Sequence, residues 1–414
     1  MVLHLSTFHL EGGAGVAATR LHRALLKSGV DSRMLVPNLQ TEEAHATGLS
    51  PAKSLSGSSW RRFVGERLYF YSQEKDASIR FAFSPAAVGA DISKHPLVQQ
   101  ADIIHLHWIN FGFLSLKTLE KLFALGKPVI WTLHDMWSFT GGCHYTRGCD
   151  HYLSHCRYCP YLRSPGEYDI SFDQFETKRS MYENTSLTLV SPSHWLDHQV
   201  KIAGLTRGIP SLSIPNCIDT NFFKPTDTRE ARIALGLPPD KKLILFAGAN
   251  TQDPRKGFVY FRQALAELDT IDMEVMIFGK GRPEDFEQMP VKAHFLGKIS
   301  DPQQMVNAYN AADMIIVPSL EDNLPNTIME AMACGTPAVG FNTGGIPEMI
   351  DHLDNGFVSV SRSAASIAEG MRWVFEQNTA NAISRKAREK VLKCYSEEVV
   401  ANRYSQLYQT VLHG

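Results

Sequence analysis

Short apolar runs alternate with amphipathic stretches along the whole chain. The runs have the length and composition of buried strands, and the stretches between them carry apolar residues at the i, i+3, i+4 spacing of a helix. Strands that alternate with helices indicate an α/β fold with parallel sheets. The predicted strands cover residues 2–7, 102–107, 128–133, 187–191, 243–248, 275–281, 294–297 and 314–317.

Length and composition make two domains the natural expectation. The 414 residues are 44% hydrophobic and 10% aromatic, which is enough apolar material for more than one core. Polar, proline-containing sequence at residues 224–240 indicates a linker and the start of a second domain. We expect an N-terminal domain over residues 1–215, a C-terminal domain over 216–394 and a terminal helical segment over 395–414.

The charge balance and the apolar runs exclude several classes of protein. Lysine and arginine number 41 against 43 acidic residues, a formal charge of -2, so the chain has no basic field of the kind that binds nucleic acid. No apolar run approaches the roughly 20 residues that span a bilayer, and no basic region precedes the apolar N-terminus. We expect a cytoplasmic protein, in which the seven cysteines are thiols or metal ligands.

One stretch suggests contact with a membrane surface. A helix through residues 60–71 would place Trp60, Phe63, Arg67 and Tyr71 along one side, with further cations nearby. This pattern suits a helix that lies on an anionic membrane. The alternative is an amphipathic helix packed on its own domain, with arginine side chains that reach out to solvent.

The loop after the predicted strand at residues 314–317 carries the densest group of candidate site residues. It starts at a strand's carboxyl end, where open α/β sheets bind ligands. Asp322 comes first, and a helix predicted over residues 327–334 would present free N–H groups and a positive dipole end, which suits a diphosphate. We expect Glu330 in the first turn of that helix. The alternative is that Thr327 and Glu330 form only a capping box and Asp322 is a solvated loop acid.

The same loop resembles the signature of the retaining glycosyltransferases of family 4. That signature has two glutamates separated by seven residues, then Ala-Met-Ala-x-Gly-x-Pro and a later Gly-Gly-x-Pro-Glu. Here Glu330 is followed by Ala-Met-Ala-Cys-Gly-Thr-Pro, and residues 344–348 read Gly-Gly-Ile-Pro-Glu. Asp322 stands at the position of the first glutamate, with Glu321 beside it.

The resemblance implies a fold and an activity. The fold is GT-B, in which an acceptor-binding and a nucleotide-sugar-binding Rossmann-like domain, each with a parallel sheet, face a central cleft and the last helix crosses back to the first domain. The implied reaction moves a sugar from a nucleotide-diphosphate sugar to a hydroxyl of a glycan or lipid-linked acceptor with retention of anomeric configuration. It requires no cofactor, and it would serve exopolysaccharide or lipopolysaccharide biosynthesis in the cytoplasm or at the inner face of the plasma membrane.

Two alternatives to this activity stay open. One is a sugar-nucleotide epimerase on the same fold. The other is a non-catalytic subunit that binds nucleotide sugars, for which Asp322 in place of glutamate is the sequence indication.

Several further positions match places that the family uses. His134 follows the strand at residues 128–133, where the resemblance implies a contact with the donor sugar. Arg255 and Lys256 would neutralise the leaving diphosphate, although Arg255 does not directly follow the strand's glycine as in many members. Asp322 would hold the sugar and Glu330 the ribose hydroxyls. The remaining predicted donor-binding residues are Gly12, Gly13 and Gly15 in a turn before a helix expected from residue 16, Gly279, Gly281 and Leu296 at two strand ends, and Asn323, Leu324, Pro325, Asn326 and Thr327.

Four cysteines crowd into the 17 residues from Cys143 to Cys159, within a predicted loop at residues 141–160. With Cys149 and Cys156 they give the spacing C-x5-C-x6-C-x2-C. Four soft ligands of this kind could close a tetrahedral structural zinc site and fix a loop that lacks its own core. The alternative is unligated or disulfide-paired thiols. A catalytic zinc is not expected, because the fold that the chain resembles generally works without a metal.

Overall fold

A computed structural model describes residues 1–50, 57–183, 185–250, 253–268, 272–378 and 381–413. The chain divides into two units. The first contains Met1–Ile214 together with residues 401–413, and the second contains Pro215–Val400. Each unit has its own parallel sheet with helices, so the predicted α/β class with two Rossmann-like domains is confirmed.

The first unit is built on a seven-stranded sheet. Its strands are β1 (Val2–Leu5), β2 (Ser32–Asn38), β3 (Ala46–Ser50), β4 (Ile103–Leu106), β5 (Val129–Thr132), β6 (Leu187–Ser191) and β7 (Ser211–Ser213). They lie in the order β3-β2-β1-β4-β5-β6-β7, and every pairing between them is parallel. The order reverses between β1 and β4, which is where open α/β sheets have their ligand-binding crevice.

Helices connect these strands and cover the sheet. They are α1 (Gly12–Lys27), α2 (Ser58–Tyr71), α3 (Pro96–Gln100), α4 (Leu116–Phe123), α5 (Ile170–Glu183) and α6 (His194–Ile202), with short 3-10 turns at Trp137–Phe139 and His151–Leu153. Successive side chains of a strand point to opposite faces of the sheet. On β1 and β4, the side chains of one face belong to the main apolar core of the unit, and they are Leu3, Leu5, Ile104 and Leu106.

The first glycine-rich segment differs from its prediction. Helix α1 begins at Gly12, so Gly12, Gly13 and Gly15 lie inside the helix rather than in a turn that precedes residue 16. A β-carbon on Gly15 would lie 2.7 Å from the β-carbon of Phe8. Glycine at this position therefore serves close packing of the helix on the chain that leads into it.

The second unit is built on a six-stranded sheet. Its strands are β8 (Lys242–Asn250), β9 (Met273–Lys280), β10 (Ala293–Phe295), β11 (Met314–Val317), β12 (Ala338–Phe341) and β13 (Gly356–Ser359). The order is β10-β9-β8-β11-β12-β13, again with parallel pairing throughout. Separate apolar clusters contain the alternate residues of the strands, which is why these strands read as continuous apolar runs in the sequence.

Helices of the second unit follow most of its strands. They are α7 (Thr228–Ala234), α8 (Phe258–Leu265), α9 (Pro302–Ala311), α10 (Asn326–Ala333), α11 (Ile346–Met349), α12 (Ala364–Gln377) and α13 (Ala382–Cys394), with 3-10 turns at Pro254–Lys256 and Pro283–Phe286. The last helix, α14 (Glu397–His413), begins in the second unit, and its residues from 401 onward belong to the first, as the sequence predicts.

Helix α2 packs on its own unit. Arg67, which the sequence assigns to a membrane-facing side, is buried, and its Nη2 donates to Oε1 of buried Glu66 at 3.1 Å. The guanidinium also lies 4.8 Å from the centre of the Phe111 ring. The prediction that Arg67 faces a membrane is therefore wrong. In a sequence, charged residues of a buried ion pair have the same helical spacing as charged residues on an exposed face. Among the described residues, none of the helices combines the length and hydropathy needed to cross a bilayer.

Five histidines lie together in the first unit: His4, His22, His105, His107 and His134. The ring of His105 hydrogen-bonds to the hydroxyl of Tyr408 and to Oγ1 of Thr132, both at 2.8 Å. Tyr404 reaches the same threonine oxygen at 2.9 Å. Helix α14 thus joins the first sheet through hydroxyl and imidazole groups as well as through apolar contacts.

Burial keeps these histidines neutral. It lowers the pKa of His105 to about 3 and that of His134 to about 4, and it also lowers the pKa values of His4, His22 and His107. A neutral imidazole has one donor and one acceptor nitrogen, so each ring can take part in a chain of hydrogen bonds.

We predict that acid destabilises the first unit through these histidines. An unfolded histidine binds a proton near pH 6.5, whereas the folded rings do so at lower pH, so protons bind preferentially to the unfolded chain and stability falls below pH 6.5. For His105 alone the loss between pH 8 and pH 5 is about 2 kcal/mol. This loss of unfolding free energy is measured by urea unfolding followed by tryptophan fluorescence, since five of the six tryptophans belong to the first unit.

Two variants separate this effect from general acid sensitivity. His105→Gln should flatten the pH dependence of the unfolding free energy by about that amount, while His198→Gln at an exposed position of α6 should leave it unchanged. Equal pH profiles for wild type and His105→Gln would contradict the assignment.

Candidate functional site

Most of the predicted donor-site residues lie at one edge of the second sheet. Because all of its strands are parallel, their carboxyl ends meet at the same edge. Lys256 follows β8, Gly279 and Gly281 stand at the end of β9, Leu296 follows β10, and Asp322 follows β11. Strands β8 and β11 are neighbours at the point where the strand order reverses, so this edge has the topology of a ligand-binding crevice.

Lys256 and Asp322 form an ion pair at the reversal point. The ammonium Nζ lies 2.5 Å from Oδ2 of Asp322, and the hydroxyl of Ser319 donates to the same oxygen at 3.2 Å. The Lys256 side chain keeps 25% of its surface exposed. The pair therefore offers a cation and an anion, held in place by each other, to a polar ligand at this edge.

The loops around the pair pack backbone against backbone. Gly257 has a φ of +68°, and a β-carbon there would fall 1.9 Å from the carbonyl oxygen of Pro318. Gly344 has a φ of +57°, and its β-carbon would fall 1.7 Å from the carbonyl oxygen of Asp322. Leu320 N–H donates to the Arg255 carbonyl at 2.7 Å. Only glycine fits at the two crowded positions, so the three loops hold one another in register.

The two adjacent cations of this edge have different partners. Arg255 Nη2 lies 2.7 Å from Oδ2 of Asp253, two residues earlier in the same turn. Lys256 pairs with the following loop instead, through Asp322. The structure thus brings Lys256, Asp322 and the glycine loops together, and it holds the Arg255 side chain beside its own turn.

Helix α10 begins without a side-chain cap in the described chain. Its N-cap residue is Pro325, which lacks a capping side chain, so the capping box of Thr327 and Glu330 is not formed. Asn326 is the first residue of the helix, and its side-chain oxygen accepts a hydrogen bond from Asn216 at 3.1 Å. The start of the helix therefore carries backbone N–H groups and the positive end of the helix dipole at the ligand edge.

Glu330 lies deeper than the sequence predicts. Because α10 starts at Asn326, Glu330 is its fifth residue and stands in the second turn. The side chain is buried, and its Oε2 accepts a hydrogen bond from the hydroxyl of Tyr309 on α9 at 2.5 Å. Asn323 and Leu324 are buried as well. Tyr309 fixes the carboxylate in one orientation, a contact that the sequence does not reveal.

In the first unit, His134 follows β5 at the carboxyl edge of the sheet and is half-buried. Its Nε2 lies 3.3 Å from Nδ1 of His107, and the two rings stack with centroids 5.5 Å apart. His107 in turn hydrogen-bonds to His4 at 2.9 Å. The sequence predicts His134 as a site residue. It does not predict that His107 and His4 support it, since their positions in or after strands are the only indication.

Asp135, the neighbour of His134, anchors the following loop. Its carboxylate accepts from Trp108 Nε1 at 2.7 Å and from the Trp137 N–H at 2.8 Å, and it pairs with His144 at 2.7 Å. Burial would raise the pKa of Asp135, but His144 and these donors together hold it below its usual value. Asp135 is therefore an internal acceptor that positions the chain on either side of His134.

The four clustered cysteines line one small pocket, together with His151 and Tyr152. Cys143, Cys156 and Cys159 are buried, Cys149 is half-buried, and none of the four forms a disulfide. Fewer than three of the sulfur atoms lie within 4.8 Å of one another.

A second group of metal-ligating atoms lies among the histidines. In the described chain, the ring nitrogens of His4, His105 and His107 come within 4.8 Å of one another. Five of the six ring nitrogens already hydrogen-bond inside the protein, the exception being Nε2 of His4. Internal hydrogen bonding therefore accounts for this group.

Comparisons with known proteins identify the family of the chain. Residues 11–222 match the family model described as Glycosyltransferase Family 4, and residues 241–377 match the one described as Glycosyl transferases group 1. The Escherichia coli protein WcaC, which carries the name of a colanic acid biosynthesis glycosyl transferase, is 24% identical over 99% of this chain and 100% of its own length.

Two solved structures share the fold. The sucrose-phosphate synthase of Thermosynechococcus elongatus superposes with a TM-score of 0.68 at 17% identity, over 99% of this chain and 98% of the other. The Anabaena protein HepE, solved with UDP and glucose, gives 0.64 at 16% identity, over 99% of both chains. The predicted GT-B fold is confirmed by these likenesses.

We predict that Gly257→Ala breaks the contact between the loops after β8 and β11. The left-handed backbone alone costs an alanine about 1–2 kcal/mol. The clash of its β-carbon with the Pro318 carbonyl oxygen adds to this cost, because side-chain rotation does not move a β-carbon. Gly236→Ala is the matched control, with a φ of +67° and open space around its β-carbon. Urea unfolding followed by circular dichroism should show the larger loss for Gly257→Ala, and equal losses would contradict the packing argument.

Proposed function

Because the chain belongs to glycosyltransferase family 4, we propose that it transfers a sugar from a nucleoside-diphosphate sugar to a hydroxyl of a glycan or lipid-linked acceptor, with retention of anomeric configuration. The observation that carries this proposal is the Lys256–Asp322 pair beside the start of α10, at the reversal point of the second sheet. A cation, the positive end of a helix dipole and the carboxylate that we propose holds the sugar belong to one set of packed loops.

The diphosphate would be received by Lys256 and by the N–H groups of Asn326 and Thr327. Negative charge grows on the leaving phosphate as its bond to the sugar breaks, and fixed dipoles and cations stabilise that charge without first having to reorganise. Arg255 would contribute from the same turn, once its guanidinium is shared between Asp253 and the phosphate.

The nucleoside would lie on the same side of the sheet. Glu330, oriented by Tyr309, would accept hydrogen bonds from the ribose hydroxyls. The base would enter a slot at the ends of β9 and β10, where Gly279 and Gly281 allow a planar ring to approach the backbone and Leu296 adds an apolar wall. Asn323, Leu324 and Pro325 would shape the passage between the base slot and the sugar.

The sugar would be held by Asp322, and by His134 as a neutral hydrogen-bond donor. A pKa of about 4 keeps His134 uncharged at neutral pH, so its ring can donate to a sugar hydroxyl. Lys256 and Ser319 already hold the Asp322 carboxylate, which disfavours its use as a covalent nucleophile. The acceptor oxygen would therefore attack on the face that the diphosphate leaves, and the leaving phosphate oxygen would take the acceptor's proton.

A relative supports the proposed process. WcaC, which the chain matches over its whole length, is named for colanic acid biosynthesis. Exopolysaccharide or lipopolysaccharide assembly is therefore the process that we propose. The exposed side chains of Trp60, Leu68, Tyr69 and Tyr71 on α2 are the ones that would contact a membrane carrying a lipid-linked acceptor. UDP-sugars are the first donors to test, because HepE was solved with UDP and glucose.

We predict that Lys256→Ala lowers the transfer rate by about 10²–10³-fold, since one electrostatic contact to a developing anion is worth roughly 2–4 kcal/mol. The matched control is Lys241→Ala, which removes the same charge at the amino end of β8, where Lys241 pairs with Asp272 at 3.1 Å. The rate is measured as release of nucleoside diphosphate with saturating donor and acceptor. Full activity of Lys256→Ala would remove this residue from the mechanism.

Stereochemistry and acceptor dependence test the reaction class. Proton NMR of the product should show the new glycosidic bond with the donor's anomeric configuration, because attack occurs on the face that the phosphate leaves. Nucleoside diphosphate should accumulate at the full rate only when an acceptor glycan is present. Inversion at the anomeric carbon would overturn the same-face mechanism, and conversion of the donor sugar without an acceptor would instead favour an epimerase.

A further inference from the structure

We propose that Cys143, Cys149, Cys156 and Cys159 bind one structural Zn²⁺, which fixes the loop between β5 and α5. All four side chains line the same pocket, although 17 residues of chain separate the first from the last. Four thiolates around one ion are the usual closed, tetrahedral environment of a structural zinc. The site belongs to the first unit, and none of its four cysteines is among the residues proposed above to contact the donor or the acceptor.

The loop has little regular secondary structure. Between the 3-10 turn Trp137–Phe139 and α5, where every residue is described, the only helical or strand element is the three-residue turn His151–Leu153. The apolar contacts of the loop are divided, because Tyr152 and Cys156 belong to the main core whereas Cys143 and Cys159 belong to a small separate cluster. A metal bound by all four cysteines would join these two parts of the loop.

The backbone between the cysteines adopts turns that non-glycine residues avoid. Arg147 and Tyr158 both have a φ of +48°, and each lies one or two residues before a cysteine. Such a conformation costs of order 1 kcal/mol per residue and persists only where the surroundings impose it. The cysteines that follow these two residues, Cys149 and Cys159, both line the pocket.

Backbone donors already point at two of the sulfur atoms. Gly141 N–H donates to Sγ of Cys156 at 3.1 Å, and the Tyr161 N–H hydrogen-bonds to Cys159. A β-carbon on Gly141 would lie 2.7 Å from Cβ of Cys156, so glycine is required for this approach. Amide donors of this kind stabilise thiolates, which are the form that binds metal.

A buried cation stands beside the pocket. The Lys178 ammonium donates to the carbonyl oxygens of Trp137 and Thr140 at 2.6 and 3.0 Å, and it lies 3.5 Å from the centre of the Trp137 ring. Its charge interacts with Cys156 and Cys143 and with the carboxylate of Asp135. Within the described chain, no carboxylate lies within salt-bridge distance of Lys178. Zinc with four thiolates carries a net charge of -2, so the occupied site would supply the countercharge that a buried ammonium needs.

Binding requires a modest rearrangement of side chains. The sulfur atoms line the pocket at more than the spacing of a closed site, so the cysteine side chains must turn inward to bring sulfur to about 2.3 Å from zinc. Four thiols lose their protons and form four Zn–S bonds, and no electron is transferred. Cys149, half-buried at the pocket wall, is the most exposed of the four proposed ligands.

The site would also position the sugar-transfer residues. Cys143 is followed by His144, whose ring pairs with Asp135, the neighbour of His134. A bound zinc would therefore fix the loop that orients His134, and its loss should lower activity without removing any group that contacts substrate.

Elemental analysis of the full-length chain, purified from cells grown without added zinc, tests the proposal. We expect about one zinc per chain, and we expect Co²⁺ refolded into the protein to give the visible bands of tetrahedral thiolate ligation. Cys159→Ser should lose most of the metal, whereas Cys394→Ser, at a half-buried cysteine of α13, should keep it. Less than half an equivalent of zinc, iron with the absorption of an iron–sulfur cluster, or two disulfides found by mass spectrometry would each overturn the proposal.

A second measurement covers the case in which Cys159→Ser fails to fold. Wild-type protein treated with a chelator should release zinc, lower its Tm and become sensitive to protease within residues 141–160, and zinc should restore all three properties. Zinc release without any change in protease sensitivity or Tm would overturn the structural role.

Discussion

The contact between the backbones of neighbouring loops at the carboxyl edge of the second sheet is the constraint on which the rest of that unit depends. Parallel pairing brings the loops to the same edge, but it does not by itself set their separation. Gly257 and Gly344 do so, because each lets one loop touch a carbonyl oxygen of the next. Lys256 and Asp322 meet as a result of this packing. The packed loops fix the positions of the two side chains, so a charged ligand at this edge would meet an ion pair that is already formed.

The first unit depends on a different constraint, which is that its buried imidazole rings need hydrogen-bond partners. The register of β1 and β4 pairs His4 with His105, so their side chains lie side by side within the unit. Neutral imidazoles exchange hydrogen bonds with one another and with Tyr408 and Thr132, and Tyr404 hydrogen-bonds to the same threonine. Such a network is directional, so it specifies the position of the last helix more narrowly than apolar packing would. His134 lies at the open end of the same network.

The sequence predicts the central strands well because their signal is local. The runs at residues 187–191 and 314–317 match β6 and β11 residue for residue, and the start of α10 differs by one residue. The strands without a prediction are β2, β3, β7, β12 and β13. Strand β3 is half-exposed and polar, β7 has three residues, and β2 contains Pro37, so these three lack the apolar pattern of a central strand. Strands β12 and β13 are buried runs of only four residues, each of which contains a glycine.

The contacts of the candidate site can likewise be predicted from the sequence only in part. Residues that follow neighbouring parallel strands, such as Lys256 and Asp322, can be expected to meet from topology alone. Contacts between different helices cannot, and so the sequence does not reveal that Tyr309 holds Glu330. Nor does the sequence reveal that Glu66 and Arg67 of α2 are both buried and pair with each other. The histidine group is hidden for a similar reason. His4 and His105 are 101 residues apart, and only strand register brings them together.

The path of α14 bears on how the chain is made. Residues from 401 onward belong to the first unit, so residues 1–214 cannot form the whole of that unit until the second unit has been synthesised as well. The second unit is contiguous in sequence and can fold as soon as it is synthesised. The first unit would therefore be completed after the second, a reversal of the usual order in which domains fold as they appear. A fragment that stops near residue 214 would for the same reason be an incomplete domain.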